Sequence, residues 1–446
     1  MRRARAAISS RVSSRPASQS QNPTTKGSVR IMRLFITLSL FSLSFVCVFV
    51  TPAMADGPLG SKDLGSGDWN GKRIHLDEDL GLTFGFMQDV TAQQNVRGGV
   101  SKGGAVNTRI TVRANYQFEK LTPLTGSEIQ VSAAWNIGGN VNNNVGALLS
   151  STGIYRDTSI RLFELYWGQF LADKQVHFKI GRIQMCNEYL YTELYLSGAI
   201  SNGYYCNPGG FYLNQPVYAQ GVWPIATWGA RIKVAPKKQD FEFWLGVYNG
   251  SESENLDAAS AHGVNFKINL RESTFVQGSF WYKLNQDPED KGLPGNYRIT
   301  GFYDSGSFTN LDDVQTQRRN PGWSLLVDQM LFRERSGPSD QGLFAMANFV
   351  HHPKTVISLA PYWASAGLYY KGAIPHRDAD MLSFAFYYAS LSADTPLDYE
   401  FQFRIYYTFQ LTRWLIFSPH VHYFKKPGGG QVPSALVFGA FLRMNL

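Results

Sequence analysis

The stretch Val106–Phe118, VNTRITVRANYQF, sorts its side chains into two sets. Val106, Thr108, Ile110, Val112, Ala114, Tyr116 and Phe118 fall on one face, and Asn107, Arg109, Thr111, Arg113, Asn115 and Gln117 on the other. A period of two is the period of a strand. Strands of soluble sheets average about five or six residues, whereas a tilted strand that crosses a bilayer needs about 9–11. Thirteen residues in phase, with a second face wholly polar, suit one face on lipid and the other on a wet lumen. A long strand of a soluble antiparallel sheet suits this single segment equally well, so repetition decides.

The pattern repeats. Ile129–Ile137, Ala226–Val234, Val264–Leu270 and Leu397–Phe409 alternate cleanly, and weaker runs lie between them up to Leu436–Leu446. Turn signals such as Ala235-Pro236-Lys237-Lys238 and Pro427-Gly428-Gly429-Gly430 separate them. About seventeen runs qualify. Single-chain bacterial barrels use even strand numbers, so sixteen are expected, with the surplus run placed between Trp323 and Tyr370. The expected fold is therefore an all-β, antiparallel transmembrane barrel of about sixteen strands over residues 82–446. Trp69, Arg73, Leu76 and Leu80 stand near helical spacing, which predicts a short periplasmic helix within residues 56–81.

Residues 1–55 carry eight Lys/Arg and no acid, which leaves 34 of the chain's 42 bases against 34 acids beyond them. The formal charge of +8 thus belongs to the leader and argues for no nucleic-acid partner. The apolar run at 34–50 followed by Pro52-Ala53-Met54-Ala55 reads as a secretory signal cut after Ala55, with Met32 as a compact start. An uncleaved anchor helix is the alternative. Export into an oxidising compartment leaves Cys186 and Cys206, either bridged or as two free thiols. Both lie in Met185–Pro224, the longest region without alternation, which either folds inward to narrow the lumen or stands outside as a loop.

Several motifs occur in order: Gly67-Asp68-Trp69-Asn70-Gly71-Lys72-Arg73, Gly181-Arg182, Leu293-Pro294-Gly295-Asn296-Tyr297-Arg298 with Gly301-Phe302-Tyr303-Asp304, Asp328–Glu334, Tyr370–Asp378 and Lys426-Pro427-Gly428-Gly429. In this the chain resembles the carbohydrate-selective porins of the OprB type from Gram-negative outer membranes. The resemblance spans about Gly67 to Leu446. It implies a sixteen-stranded barrel for passive inward diffusion of sugars, with no cofactor. Many outer-membrane barrels end on Phe, read by the assembly machinery; this chain departs from that and ends on Leu446.

A sugar pore needs a constriction whose side chains replace part of the sugar's hydration. Arginines and carboxylates supply directional hydrogen bonds, and aromatic rings supply flat apolar surface. The lumen-phase candidates are Arg109, Arg113, Arg231, Lys233, Lys267, Arg298, Asp304, Glu400 and Arg404. Glu400 and Arg404 stand about 13 Å apart on one strand face, so each is expected to meet a neighbouring strand instead. His420 and His422 share a face but show no third ligand, so solvated lumen histidines are expected and no metal. No Gly-x-Ser-x-Gly elbow marks an acyl-transfer enzyme. The alternative function is a general or anion-preferring diffusion pore; a barrel lipase ranks third. Expected partners are small sugars, outer-membrane lipid and lipopolysaccharide and the assembly machinery, for a monomer or homotrimer.

Overall fold

A computed structural model describes Trp69 and residues 72–154, 159–184, 188–189, 226–237, 240–250, 262–285, 292–312, 314–334 and 340–445. The leader, both cysteines and Leu446 lie outside the described residues. A short helix, α1 (Lys72–Glu78), precedes sixteen strands. They are β1 (Leu82–Arg97), β2 (Gly103–Gln117), β3 (Ser127–Gly138), β4 (Ser159–Leu171), β5 (Val176–Ile183), β6 (Thr227–Val234), β7 (Phe241–Asn249) and β8 (Thr274–Leu284). The second half runs β9 (Gly295–Thr309), β10 (Thr316–Arg333), β11 (Gly342–His351), β12 (Tyr362–Lys371), β13 (Met381–Ser390), β14 (Tyr399–Thr412), β15 (Leu415–Lys425) and β16 (Ala435–Asn445). Each strand pairs with its sequence neighbours, and β1 pairs with β16, so the sheet closes without an edge. Among the described residues no helix is long and apolar enough to cross a membrane; the strands do so.

Burial is inverted relative to a soluble protein. On β3, Ile129, Val131 and Trp135 are exposed while Gln130, Ser132 and Asn136 are buried. The buried face is the lumen and the exposed face meets lipid. The closing seam is held by charge. Asp89 on β1 stands directly opposite Arg109 on β2 and Arg443 on β16, forms an ion pair with Arg109, and accepts from Arg443 Nε at 2.8 Å. Outside the first strand, α1 is tied down by Arg73, which donates to the Phe84 carbonyl at 2.8 Å and packs on Trp69.

The surplus run is Val264–Leu270, not one between Trp323 and Tyr370. Its alternation is real, since Val264, Phe266, Ile268 and Leu270 are all exposed and Asn265 is buried. Its pairing is absent because β7 and β8 already pair with each other, Trp244 opposite Ser279. The segment instead crosses the rim. The His262 carbonyl accepts from Leu162 N–H at 2.8 Å, and Trp228 Nε1 donates to the Asn265 carbonyl at 2.9 Å. Alternation reports which face sees lipid, while a ladder also needs a vacant neighbour.

The runs between Trp323 and Tyr370 alternate poorly for a different reason. The lumen face of β7–β13 carries large apolar side chains among its polar ones: Trp244, Trp281, Phe302, Phe344, Trp363 and Tyr387 point inward. Where both faces are apolar, period two loses its contrast.

Candidate functional site

In an antiparallel ladder, directly opposite residues share a face with their Cβ atoms about 4.5–5.5 Å apart. Register therefore assembles the lumen wall. Lys179 stands opposite Arg231, Lys233 opposite Trp244, Glu242 opposite Trp281, and Trp281 opposite Arg298. This places three of the candidates, Arg231, Lys233 and Arg298, in one patch on β6 and β9, together with Trp244 of β7 and Trp281 of β8.

The patch is organised around its two indoles. The Arg298 guanidinium lies 4.9 Å from the Trp244 ring centre and 4.8 Å from that of Trp281. Arg231 lies 4.6 Å from Trp244, Lys233 5.1 Å from it, and Lys283 4.3 Å from Trp281. Cations over ring faces are attracted by the ring quadrupole, most strongly where water is excluded. Glu242 takes Lys233 at 3.2 Å and Lys283 at 2.9 Å, and accepts the Trp244 indole N–H at 2.9 Å. The Trp281 N–H goes to Asn296 Oδ1 at 3.0 Å, and Asn296 donates in turn to Asp328 at 2.7 Å. Lys233 and Lys283 are the heads that reach solvent, with 26% and 23% of their side chains exposed.

Glu188 and Tyr189 enter the lumen from the connection between β5 and β6. Glu188 pairs with Lys179 at 2.9 Å and Arg231 at 2.6 Å, and its carbonyl accepts from Arg298 at 2.5 Å. Burial alone would raise the Glu188 carboxyl, but Lys179 and Arg231 outweigh it and hold the pKa down to about 2. The expectation that part of Met185–Pro224 folds inward is met by these two residues; the rest of that stretch lies outside the described residues.

A second inward segment was not anticipated. Between β3 and β4, the chain at 148–151 is fastened to the opposite wall, eight strands around the barrel from β6. Glu400 of β14 accepts the backbone N–H groups of Leu148, Leu149 and Gly428, each at 2.8 Å. Gln402 donates to the Leu149 carbonyl at 2.5 Å and Arg404 to the Ser150 carbonyl at 2.6 Å. Ser151 donates to Gln93 of β1 at 2.9 Å. Glu400 and Arg404 thus do not pair with each other, and Gln402 between them joins both. Both meet an incoming loop, and Arg404 also meets a neighbouring strand as expected, its guanidinium 4.3 Å from the Tyr387 ring centre on β13.

The remaining candidates fall elsewhere. Arg109 serves the seam with Asp89. Arg113 is in lumen phase on β2 and exposed. Lys267 is on the rim segment and on no strand. Asp304 accepts from Ser273 at 2.5 Å and from the Gly306 N–H at 2.7 Å, holding the loop end of β9. His420 and His422 stack at 4.6 Å beside Tyr406, and no third His, Cys, Asp or Glu joins them among the described residues. Trp244, Trp281, Lys283, Glu242, Glu188 and the 148–151 segment escaped sequence reading. The two tryptophans did carry a signal, since each stands in the lumen phase of its strand, as Glu242 does.

Residues 101–446 match the family model described as carbohydrate-selective porin, OprB family. Porin B of Pseudomonas aeruginosa is 24% identical over 429 residues, covering 84% of this chain and 89% of that protein. Among solved structures, the high-pH form of Pseudomonas putida OprB superposes with a TM-score of 0.76 at 19% identity, covering 88% of this chain and all of that one. Its low-pH form gives 0.57 at 18% identity over 87% of this chain. The sixteen-stranded closed barrel, the lumen wall of paired charges and aromatics, and the match over most of the chain agree: this protein belongs to the OprB family of carbohydrate-selective porins.

Proposed function

We propose that small sugars, monosaccharides foremost, diffuse through this barrel past Lys233, Glu242 and Lys283, with Trp244 and Trp281 as the platform beneath them. One observation carries the reading: the solvent-reaching heads are already paired through Glu242 and seated on indole faces. Such a unit offers donors and an acceptor to neutral hydroxyls at fixed positions. Because its charges are satisfied without ligand, a sugar gains little beyond its exchanged water bonds, and release stays fast. Transport through a channel needs binding weak enough to leave. The two inward segments narrow the path from opposite walls.

The patch holds five cations (Lys179, Arg231, Lys233, Lys283, Arg298) against Glu188 and Glu242, which is the observation that favours an anion-preferring pore. Swelling of lipid vesicles with glucose, similarly sized amino acids and small anions separates the two. Faster sugar entry, with ion conductance that sugar titrates down, supports the sugar path; preference for anions with no block by sugar overturns it. Export through the Sec pathway with cleavage before Asp56, insertion by the assembly machinery into lipid and lipopolysaccharide, and a monomeric or homotrimeric state complete the reading. N-terminal sequencing of the mature protein and its mass in native form test these.

A further inference from the structure

The outer wall carries a second polar site, remote from the lumen. The long connections after β3, β5 and β7 share one end of the barrel with the β9–β10 hairpin, and every connection at the other end is two to ten residues long. In outer-membrane barrels the long loops face outward from the cell. At that end of β9 and β10 lies a cleft of about 540 Å³ lined by Tyr303, Ser305, Arg318, Arg319 and Lys354. The register slips between Arg318 and Asn320, so Ser305 and Gly306 together face Arg319. Such a bulge re-aims side chains. Arg319 adopts φ +69°, a left-handed conformation rare for a non-glycine residue. The slip puts two consecutive arginines at one opening, since Arg318 stands opposite outward-facing Ser307. Lys354, from the connection after β11, donates to the Arg318 carbonyl at 2.5 Å, which draws its charge to the same place.

These three cations form no ion pair with a carboxylate among the described residues. Asp312, at the hairpin tip, is engaged by the Val314 N–H at 3.1 Å. At Asp89 and at Glu242, by contrast, two cations share one carboxylate. Below the cleft lies an outward aromatic belt. Trp323 packs on Phe349 at 5.4 Å, Phe349 on Tyr362 at 6.3 Å, and Tyr362 stacks on His351 at 4.6 Å. Aromatic girdles mark the edge of the hydrocarbon layer. Arg319 is four residues beyond Trp323, about 13 Å along a strand tilted at about 40°, hence about 10 Å above the belt. That is headgroup level in the outward leaflet.

We propose that Arg318, Arg319 and Lys354 bind a phosphate of a phosphorylated glycolipid of the outer leaflet. Guanidinium groups match phosphate oxygens in bidentate geometry, and the lysine adds a point charge. The lipid source follows from the position beside the belt rather than over the pore mouth.

The test uses the mature protein in neutral detergent, titrated with diphosphoryl lipid A, with its dephosphorylated form and with inorganic phosphate, and followed by native mass spectrometry. The triple variant Arg318→Gln/Arg319→Gln/Lys354→Gln is compared with Lys72→Gln/Lys120→Gln/Lys174→Gln at the other end. Loss of charge-assisted bonds predicts binding of diphosphoryl lipid A at least about tenfold weaker in the first variant and unchanged in the second. The dephosphorylated lipid should bind the native protein as weakly as the phosphorylated lipid binds the first variant. Equal binding by both lipids, or by both variants, overturns the proposal. Inorganic phosphate bound at the cleft as tightly as lipid A would assign it to a soluble anion and overturn the lipid assignment. Vesicle permeation by the first variant reports that the barrel has folded; if it has not, Lys354→Gln alone carries the comparison.

Discussion

Glu400 is the peg on which the first inward segment hangs, and its removal gives the sharpest test of the lumen geometry. Its two oxygens accept three backbone N–H groups at 2.8 Å, two from the segment and one from Gly428 in the connection before β16. Hydrogen bonds to a charged group contribute about 1.5–3 kcal/mol each. Glu400→Ala removes all three and leaves buried donors without an acceptor, a nominal loss of ~4–9 kcal/mol before relaxation and water entry reduce it. Even ~3 kcal/mol retained would shift the docked-to-released ratio of the segment by about 150-fold. Glu400→Gln keeps one acceptor oxygen. Oε2 receives both Leu148 and Gly428, whereas Oε1 receives Leu149, so the amide can satisfy at most two of the three and should fall between. In planar bilayers Glu400→Ala is expected to raise mean single-channel conductance and to add flicker as the segment leaves and returns. Glu400→Gln should show less of both. If both variants conduct with native amplitude and noise, the segment at 148–151 does not narrow the path, and the argument fails.

Other predictions address separate parts of the molecule. Trp281→Ala removes the ring beneath Lys283 and Arg298; with cation–ring contacts worth about 0.5–2 kcal/mol, sugar should block ion current about 2- to 30-fold less tightly, and an unchanged block constant would exclude the platform role. Asp89→Ala leaves Arg109 and Arg443 facing each other in the closing seam, a buried-pair loss of about 3–5 kcal/mol. The temperature at which the barrel unfolds on heated gels should drop clearly, whereas Asp312→Ala, exposed at a hairpin tip, should leave it in place. Glu188 has its folded pKa lowered to about 2 from the ordinary value of 4.5. Its contribution is therefore fully present above about 4.5 and disappears as pH falls towards about 2. Conductance changes traced to this residue, by difference from Glu188→Gln, should appear only in that acidic window, and a Glu188-dependent transition near neutrality would contradict the pairing with Lys179 and Arg231.

Much of the barrel was legible because a membrane-spanning strand must show two solvents at once. Val106–Phe118 kept its phase over thirteen residues for that reason, and β2 does carry Asn107, Arg109 and Thr111 into the lumen. The same logic misread Val264–Leu270. A rim segment lying on the outer surface also shows lipid on one side and protein on the other, and only its lack of a free neighbour distinguishes it. On β11 and β12 the logic lost contrast, because Phe344, Met346, Trp363 and Tyr369 line the lumen with rings and aliphatic groups.

Arg231, Lys233, Arg298, Glu400 and Arg404 were visible as polar residues in lumen phase. Their grouping was not. Strand phase is local, set by the pleat, whereas register and loop docking join residues hundreds of positions apart, 354 for Asp89 and Arg443 and 254 for Arg404 and Ser150. The sequence by itself therefore determined the barrel, its approximate strand number, its family and which side chains face inward, since each follows from short-range alternation or from ordered motifs. Tertiary structure alone decided that Arg298 lies between two tryptophans, that Glu400 holds a loop instead of a sugar, and that three outward cations meet at one cleft. Those outcomes depend on which strands stand side by side and on where loops return, and no periodicity along the chain encodes either.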